Sequence, residues 1–271
     1  MNEWDATDYA AKDNLLRMVR LEVQALFDMA EAGDRWTAPT GCPRWEARDI
    51  VGHLIDVTES YFTGFDAAAA GRQAGDPLGV RVMRERLDEG AKAHRELSQG
   101  DAVKRLRDDF EKMMETAGAL GPAEWGGKLV GHKYMGSLPA FFYPVFQLMD
   151  YGVHGWDIRQ GTGRAHGLGG DTADMLVPFM FIVWQATTEP LADGEALAVG
   201  IRVSGRNAVD YLVNITGEGL SYAREDVSGM PAVIEFDPGS LVLTAFGRVN
   251  AGTIRGDRVV ADRFLNSFFR I

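Results

Sequence analysis

Apolar positions recur at helical spacing through the first 190 or so residues and alternate with polar ones after that. A first helix is predicted from about Asp8 to Glu31, with Leu15, Val19, Leu21, Val23, Leu26 and Met29 as its apolar positions and Gly33 as its stop. The turn-forming stretch Thr37 to Pro43 leads into a second helix from about Glu46 to Ala70, closed by Gly71. Asp49 falls in its first turn, where the helix dipole favours an acid. Residues 77–118 read as a charged helical stretch broken near Gly100, its Arg, Glu and Lys run forming a solvated face. A long connection from Gly121 to Gly136 precedes a fourth helix from about Leu138 to Gln160 and a fifth from about Thr172 to Thr188. The helical part is expected to be an antiparallel bundle.

The period changes after Pro190. Strands are predicted at 198–203, 210–215, 220–224 and 232–236, then a short helix opened by Asp237-Pro238-Gly239-Ser240 and running through Phe246. A last strand at 253–255 and a last helix from Arg258 to Phe268 complete the chain. The fold class is therefore α+β with two domains, a helical bundle over 1–190 and a small α+β domain over 191–271.

Composition changes this picture only by exclusion. The 271 residues are 46% apolar and 25% charged, as in ordinary globular proteins. A net charge of -11 argues against nucleic acid or an anionic membrane as the main partner. The start, Met1-Asn2-Glu3-Trp4-Asp5, lacks the basic and apolar regions of a signal peptide, and the run from Met175 to Trp184 is too short to span a bilayer. Cys42 is the only cysteine, so an internal disulfide and a cysteine cluster are both ruled out. A cytoplasmic location is expected, and a homo-oligomer stays open.

Candidate chemistry sits on two of the helices. Asp150 and His154 are four residues apart, which places a carboxylate and an imidazole on one helical face. His53 shares the stripe of Ile50, Val57 and Tyr61, which should face the bundle interior. Two buried imidazoles and a carboxylate are costly unless something satisfies them. Three nitrogen and oxygen donors with an open fourth position describe a catalytic zinc site. The ordinary readings are a hydrogen-bonded core histidine and a local Asp/His ion pair.

Two motifs carry a family resemblance. The stretch Thr40-Gly41-Cys42-Pro43-Arg44-Trp45-Glu46-Ala47-Arg48-Asp49-Ile50-Val51-Gly52-His53-Leu54 resembles the segment that opens the second helix in the mycothiol-dependent maleylpyruvate isomerase family, which belongs to the DinB-like metal-binding bundles. His154-Gly155-Trp156-Asp157, followed by Thr162-Gly163-Arg164, is similar to that family's fourth-helix end. Gly247-Arg248 and Gly256-Asp257 resemble its sterol-carrier-like C-terminal domain more weakly. The resemblance implies zinc, or another divalent metal, held by His53, Asp150 and His154. The family isomerase has Glu where this chain has Asp150; a side chain one methylene shorter needs a small helix shift or an intervening water. It also implies mycothiol, a low-molecular-weight thiol, as cosubstrate, with its sulfur directed at a small-molecule electrophile. An isomerase releases that thiol again and a transferase leaves it attached, and the sequence selects neither.

The remaining candidates are weighed against plainer roles. Arg248 is the choice for a basic residue that reaches an anionic substrate from the small domain, into a pocket expected between the domains; its alternative is a surface or interface ion pair. Asp157 either orients a site group or caps the helix, and Tyr143 and Gln147 either line the pocket or pack the core. Cys42 is read as shaping the loop before Trp45 rather than as a nucleophile, and His94, His132 and His166 as solvated. A metalloenzyme using metal-bound water, or a bundle that binds a small molecule without turnover, are the competing function classes.

Overall fold

The computed structural model describes residues 2–32, 34–72, 75–161, 163, 167–192 and 194–271. Gly33, His166, Thr162 and Arg164, named in the sequence reading, lie outside these residues. The chain divides into two compact units, Met1–Leu168 and Gly169–Ile271.

In the first unit a 3₁₀ turn at Tyr9–Ala11, capped by Asp8 accepting from the Ala10 amide, leads into α1 (Lys12–Ala30). Leu15, Val19, Val23 and Leu26 are buried as the helical period requires. Leu21 is not: it falls two residues after Val19, off the buried face, and is 59% exposed. The second helix, α2 (Ala47–Ala69), opens on a reciprocal cap in which Glu46 and Asp49 accept each other's backbone N–H groups. Asp49 does more than favour the dipole. It is fully buried and accepts two 2.7 Å bonds from Arg95, fixing the start of α2 against the segment after the next helix. Burial pushes its pKa up, but the Arg95 and Glu46 bonds outweigh that and hold it below the usual value.

The charged stretch forms α3 (Val80–Lys92) and α4 (Gln99–Ala119). The break comes before Gly100, because the Ser98 hydroxyl accepts from the Asp101 amide and starts α4 there. The long connection is more ordered than expected. It holds α5 (Pro122–Gly127) and a hairpin of β1 (Leu129–His132) with β2 (Gly136–Pro139), before α6 (Phe142–Gly161). Helices α1, α2, α4 and α6 pack on one another as the bundle, with α3 and β1 laid against α2.

The second unit begins with α7 (Gly170–Thr187), which the sequence reading assigned to the bundle by placing the boundary at 190. Helical periodicity marks a buried face but not which core covers it, and α7 packs on elements that follow it in sequence. These are β3 (Leu197–Val203), β4 (Val209–Thr216), β5 (Gly219–Arg224), β6 (Ala232–Phe236), α8 (Pro238–Ala245), β7 (Thr253–Gly256) and α9 (Arg258–Leu265). The strands form one sheet in the order β5-β4-β3-β6-β7, antiparallel except for the β3–β6 pair. No strand from before residue 190 joins it among the described residues. Helix α7 lies on β5 and α8, and α9 on β3, β6 and β7. Trp184 of α7 is fully buried, its ring stacked on Phe268 and edge-on to Phe264. Among the described residues no helix is long and apolar enough to cross a membrane.

One bundle residue gives a pH prediction. Asp109 of α4 has a carboxylate oxygen that is buried and makes no hydrogen bond to the described residues. Burial, and then the charge of Glu59, push its pKa up to about 6. The unfolded chain has the lower pKa, so it ionises first as pH rises. The stability Asp109 contributes is present below pH 4 or so and is lost as pH rises through 6. Asp109→Asn should therefore raise the melting temperature at pH 7.5 and leave it unchanged near pH 4. An equal shift at both values would show that the charge is not responsible.

Candidate metal centre

Helices α2 and α6 bring the site together. The His53 ring on α2 meets the His154 ring on α6 edge-on, with centroids 5.0 Å apart. Asp150 lies one turn before His154, and ligand atoms from His53, Asp150 and His154 all lie within 4.8 Å of one another. The shorter aspartate thus still delivers an oxygen to the group. Both histidines are buried and Asp150 is half-buried. The Trp45 ring covers the pair, 5.1 Å from His53 and 5.8 Å from His154. Its indole N–H is held by Asp88 at 2.8 Å.

Electrostatics show a carboxylate that protein groups alone do not settle. Burial pushes the Asp150 pKa up to about 6, although His154 and a hydrogen bond from Tyr61 oppose the shift. Tyr61 is the partner that sequence reasoning left as a core residue. Burial, and then the Asp150 charge, push its own pKa well up, so its hydroxyl stays protonated and donates. Its position two turns after His53 on the same stripe was the available signal. Two imidazoles and one carboxylate converging inside the bundle fit a divalent ion, which would supply positive charge beside the carboxylate.

Behind His154 lies a second layer. Its Nδ1 is 3.0 Å from Asp157 Oδ2, and Asp157 is fully buried. A carboxylate against Nδ1 restrains the ring and turns Nε2 away from Asp157. Burial pulls the His154 pKa down, but the bonds to Asp157 and Cys42 outweigh it and bring it up to about 10. Cys42 Sγ donates to the same Asp157 oxygen at 3.1 Å and lies 3.9 Å from His154 Nδ1. The loop carries it there because the Gly41 amide donates to the Asp157 carbonyl at 2.7 Å, and Arg44 turns the chain with φ at 73°. A Cβ at Gly41 would sit 2.8 Å from Asp157 Oδ1, so only glycine lets the loop come this close. Cys42 does shape that loop, and it also belongs to the site. Its position before the second helix gave no sign of this, since the contact spans 115 residues of sequence.

Gln147 is fully buried; its amide nitrogen donates to Thr58 at 3.0 Å, and its carbonyl oxygen makes no hydrogen bond to the described residues. Tyr143 spends its hydroxyl on the Val130 carbonyl at 3.0 Å and offers Tyr61 only its ring, 5.1 Å away. Arg248 belongs to the second unit, where its guanidinium donates to the carbonyls of Phe246 and Ile271. His132 is not solvated as expected. Its Nδ1 accepts from the amides of Tyr134 and Met135 in the hairpin turn, and burial brings its pKa down to about 4. His94 is partly buried beside α2, and burial lowers its pKa as well.

A family model described as the mycothiol maleylpyruvate isomerase N-terminal domain matches residues 19–159, just over half of the 271 residues. The chain belongs to that family. The match takes in α2 and α6, and with them every residue of the metal group. A solved structure of the mycothiol-dependent maleylpyruvate isomerase is similar to the chain with a TM-score of 0.60 and 13% identity, covering 90% of this chain and 92% of that one. A histidine-to-alanine mutant of that enzyme matches equally well. These likenesses show the shared fold, a DinB-like bundle followed by an α+β unit. No curated protein matches the chain.

One sequence expectation is withdrawn here. Nucleic acid was excluded as a partner on net charge. A third similar structure, the colibactin self-resistance protein ClbS, is a complex with double-stranded DNA, at a TM-score of 0.47 and 13% identity, covering 57% of this chain and 97% of that one. So distant a match says nothing about this chain, and the exclusion is withdrawn because net charge describes the whole molecule and not any one face.

Proposed function

We propose that the protein is a metal-dependent thiol enzyme that takes mycothiol as its cosubstrate and a small electrophile as its substrate. The observation that carries this is the convergence of His53, Asp150 and His154 from two helices inside a bundle of the mycothiol maleylpyruvate isomerase family. These three side chains would hold the ion, most reasonably zinc given two nitrogen donors and one oxygen. A divalent ion held there would keep a thiol's sulfur deprotonated near neutral pH, the form in which a thiol is nucleophilic.

The remaining work falls to the chain's own residues. Asp157 holds His154 in one tautomer, and the Tyr61 hydroxyl holds Asp150 by a hydrogen bond. Trp45 walls one side of the pair and limits water there. With one carboxylate and two neutral imidazoles, the group carries one negative charge against an ion of two positive charges. A thiolate would complete neutrality, which favours an anionic sulfur over water as the fourth donor. Gln147 presents a buried carbonyl oxygen one turn from Asp150, suited to an N–H or O–H donor of the cosubstrate.

The test is to incubate the zinc-loaded protein with mycothiol and a panel of electrophiles that includes maleylpyruvate. Turnover should require mycothiol, and the fate of the thiol decides the type of reaction. Thiol recovered unchanged marks an isomerase; thiol consumed into a conjugate marks a transferase. Equal rates with and without mycothiol would contradict the proposal and favour hydrolysis.

A further inference from the structure

Cys42, His154 and Asp157 form a second group of ligand atoms within 4.8 Å of one another, all three buried. Their separations are 3.9 Å from Sγ to Nδ1, 3.1 Å from Sγ to Oδ2 and 3.0 Å from Nδ1 to Oδ2. Tetrahedral bonds of roughly 2.0–2.3 Å put donor atoms about 3.4–3.6 Å apart, so moves of roughly half an ångström would seat an ion. We propose that these residues form a second metal site, selective for thiophilic divalent ions such as cadmium and mutually exclusive with the His53–Asp150–His154 site.

Charge separates the two sites. A thiolate, a carboxylate and a neutral imidazole carry two negative charges and balance a divalent ion without any external anion. The second site is thus charge-balanced by the protein alone, whereas the first is one charge short. A soft sulfur donor also gives the second site its preference for soft ions. Exclusivity follows from the shared histidine. As the ion arrives, Cys42 Sγ and His154 Nδ1 each lose a proton to solvent. The imidazole is then neutral with its remaining hydrogen on Nε2, which cannot serve the first site. A thiophilic ion would therefore disarm the first site without touching His53 or Asp150.

Capture at the second site stands by itself; only the exclusivity rests on the first site binding metal as proposed above. The probe is cadmium chloride, titrated into the metal-stripped protein while the near-ultraviolet thiolate-to-cadmium absorption is followed. The band should appear in the parent protein, persist in His53→Ala and vanish in Cys42→Ser, with cadmium binding weakened at least about tenfold. Cadmium-113 NMR of the parent protein reads sulfur ligation directly, so the result does not depend on how Cys42→Ser folds. In zinc-loaded protein, cadmium should release zinc. Absence of a thiolate band and of a sulfur-ligated NMR signal would overturn the site. Loss of the band in His53→Ala would also overturn it, by making Cys42 an added donor to the first site. Zinc retained beside bound cadmium would overturn the exclusivity. If the parent protein fails to hold zinc yet still gives the band, the first site fails and the second survives.

Discussion

His53→Ala and His154→Ala should each leave the purified protein with almost no bound zinc, where the parent carries about one ion per chain by elemental mass spectrometry. Each histidine supplies one of three protein donors, and two donors in a buried site leave an ion underligated. His154→Ala has the further effect of stripping Asp157 of its 3.0 Å partner, so its folding is to be checked by circular dichroism. Asp157→Asn keeps all three donors and removes the carboxylate charge that His154 Nδ1 and Cys42 Sγ share. It should weaken zinc about 10–100-fold rather than abolish it. Full zinc content in either alanine variant would remove that histidine from the site.

The second large effect is on stability. Trp125→Ala should cost about 3–5 kcal/mol, as expected for truncating a fully buried indole. Trp125 is 1% exposed on α5, packs edge-on to Tyr9 and against Phe141, and donates to the Ala6 carbonyl at 2.9 Å. It thereby ties the N-terminal turn to the connection that leads into α6, the helix that carries Asp150 and His154. Trp125→Phe keeps most of the ring and removes the N–H. It should cost less and isolate the hydrogen bond, worth about 1 kcal/mol plus what the unpartnered Ala6 carbonyl loses. Urea titration separates the two variants. If Trp125→Ala unfolds at the parent's midpoint, the indole is not the tie described here.

The comparison of sequence with structure turns on range. The convergence of His53, Asp150 and His154 was legible because helical spacing assigns a face, and because two local motifs carried the family's pattern. The α+β unit after Pro190 was legible because strand alternation and helix periodicity differ in kind. Cys42 was not legible, since what brings it to Asp157 is the path of a loop set by Gly41 and Arg44. The hairpin at 129–139 was hidden in a glycine-containing connection, because four-residue strands are too short to show alternation. Helix α7 was found, but its allegiance was not, as a buried face looks the same whichever core it meets. Leu21 failed for a local reason, an apolar side chain off the stripe. The burial of His132 depends on the hairpin turn folding over its ring nitrogen, which no spacing in the sequence announces.

The central claim is that His53, Asp150 and His154 hold the ion that activates mycothiol. It is tested most directly by titrating mycothiol, under anaerobic conditions, into zinc-loaded protein, metal-stripped protein and His53→Ala, with heat and released protons measured together. The account predicts binding with release of about one proton to the zinc-loaded protein, and no such binding to the other two. Equal binding to loaded and stripped protein, or binding without proton release, would contradict it.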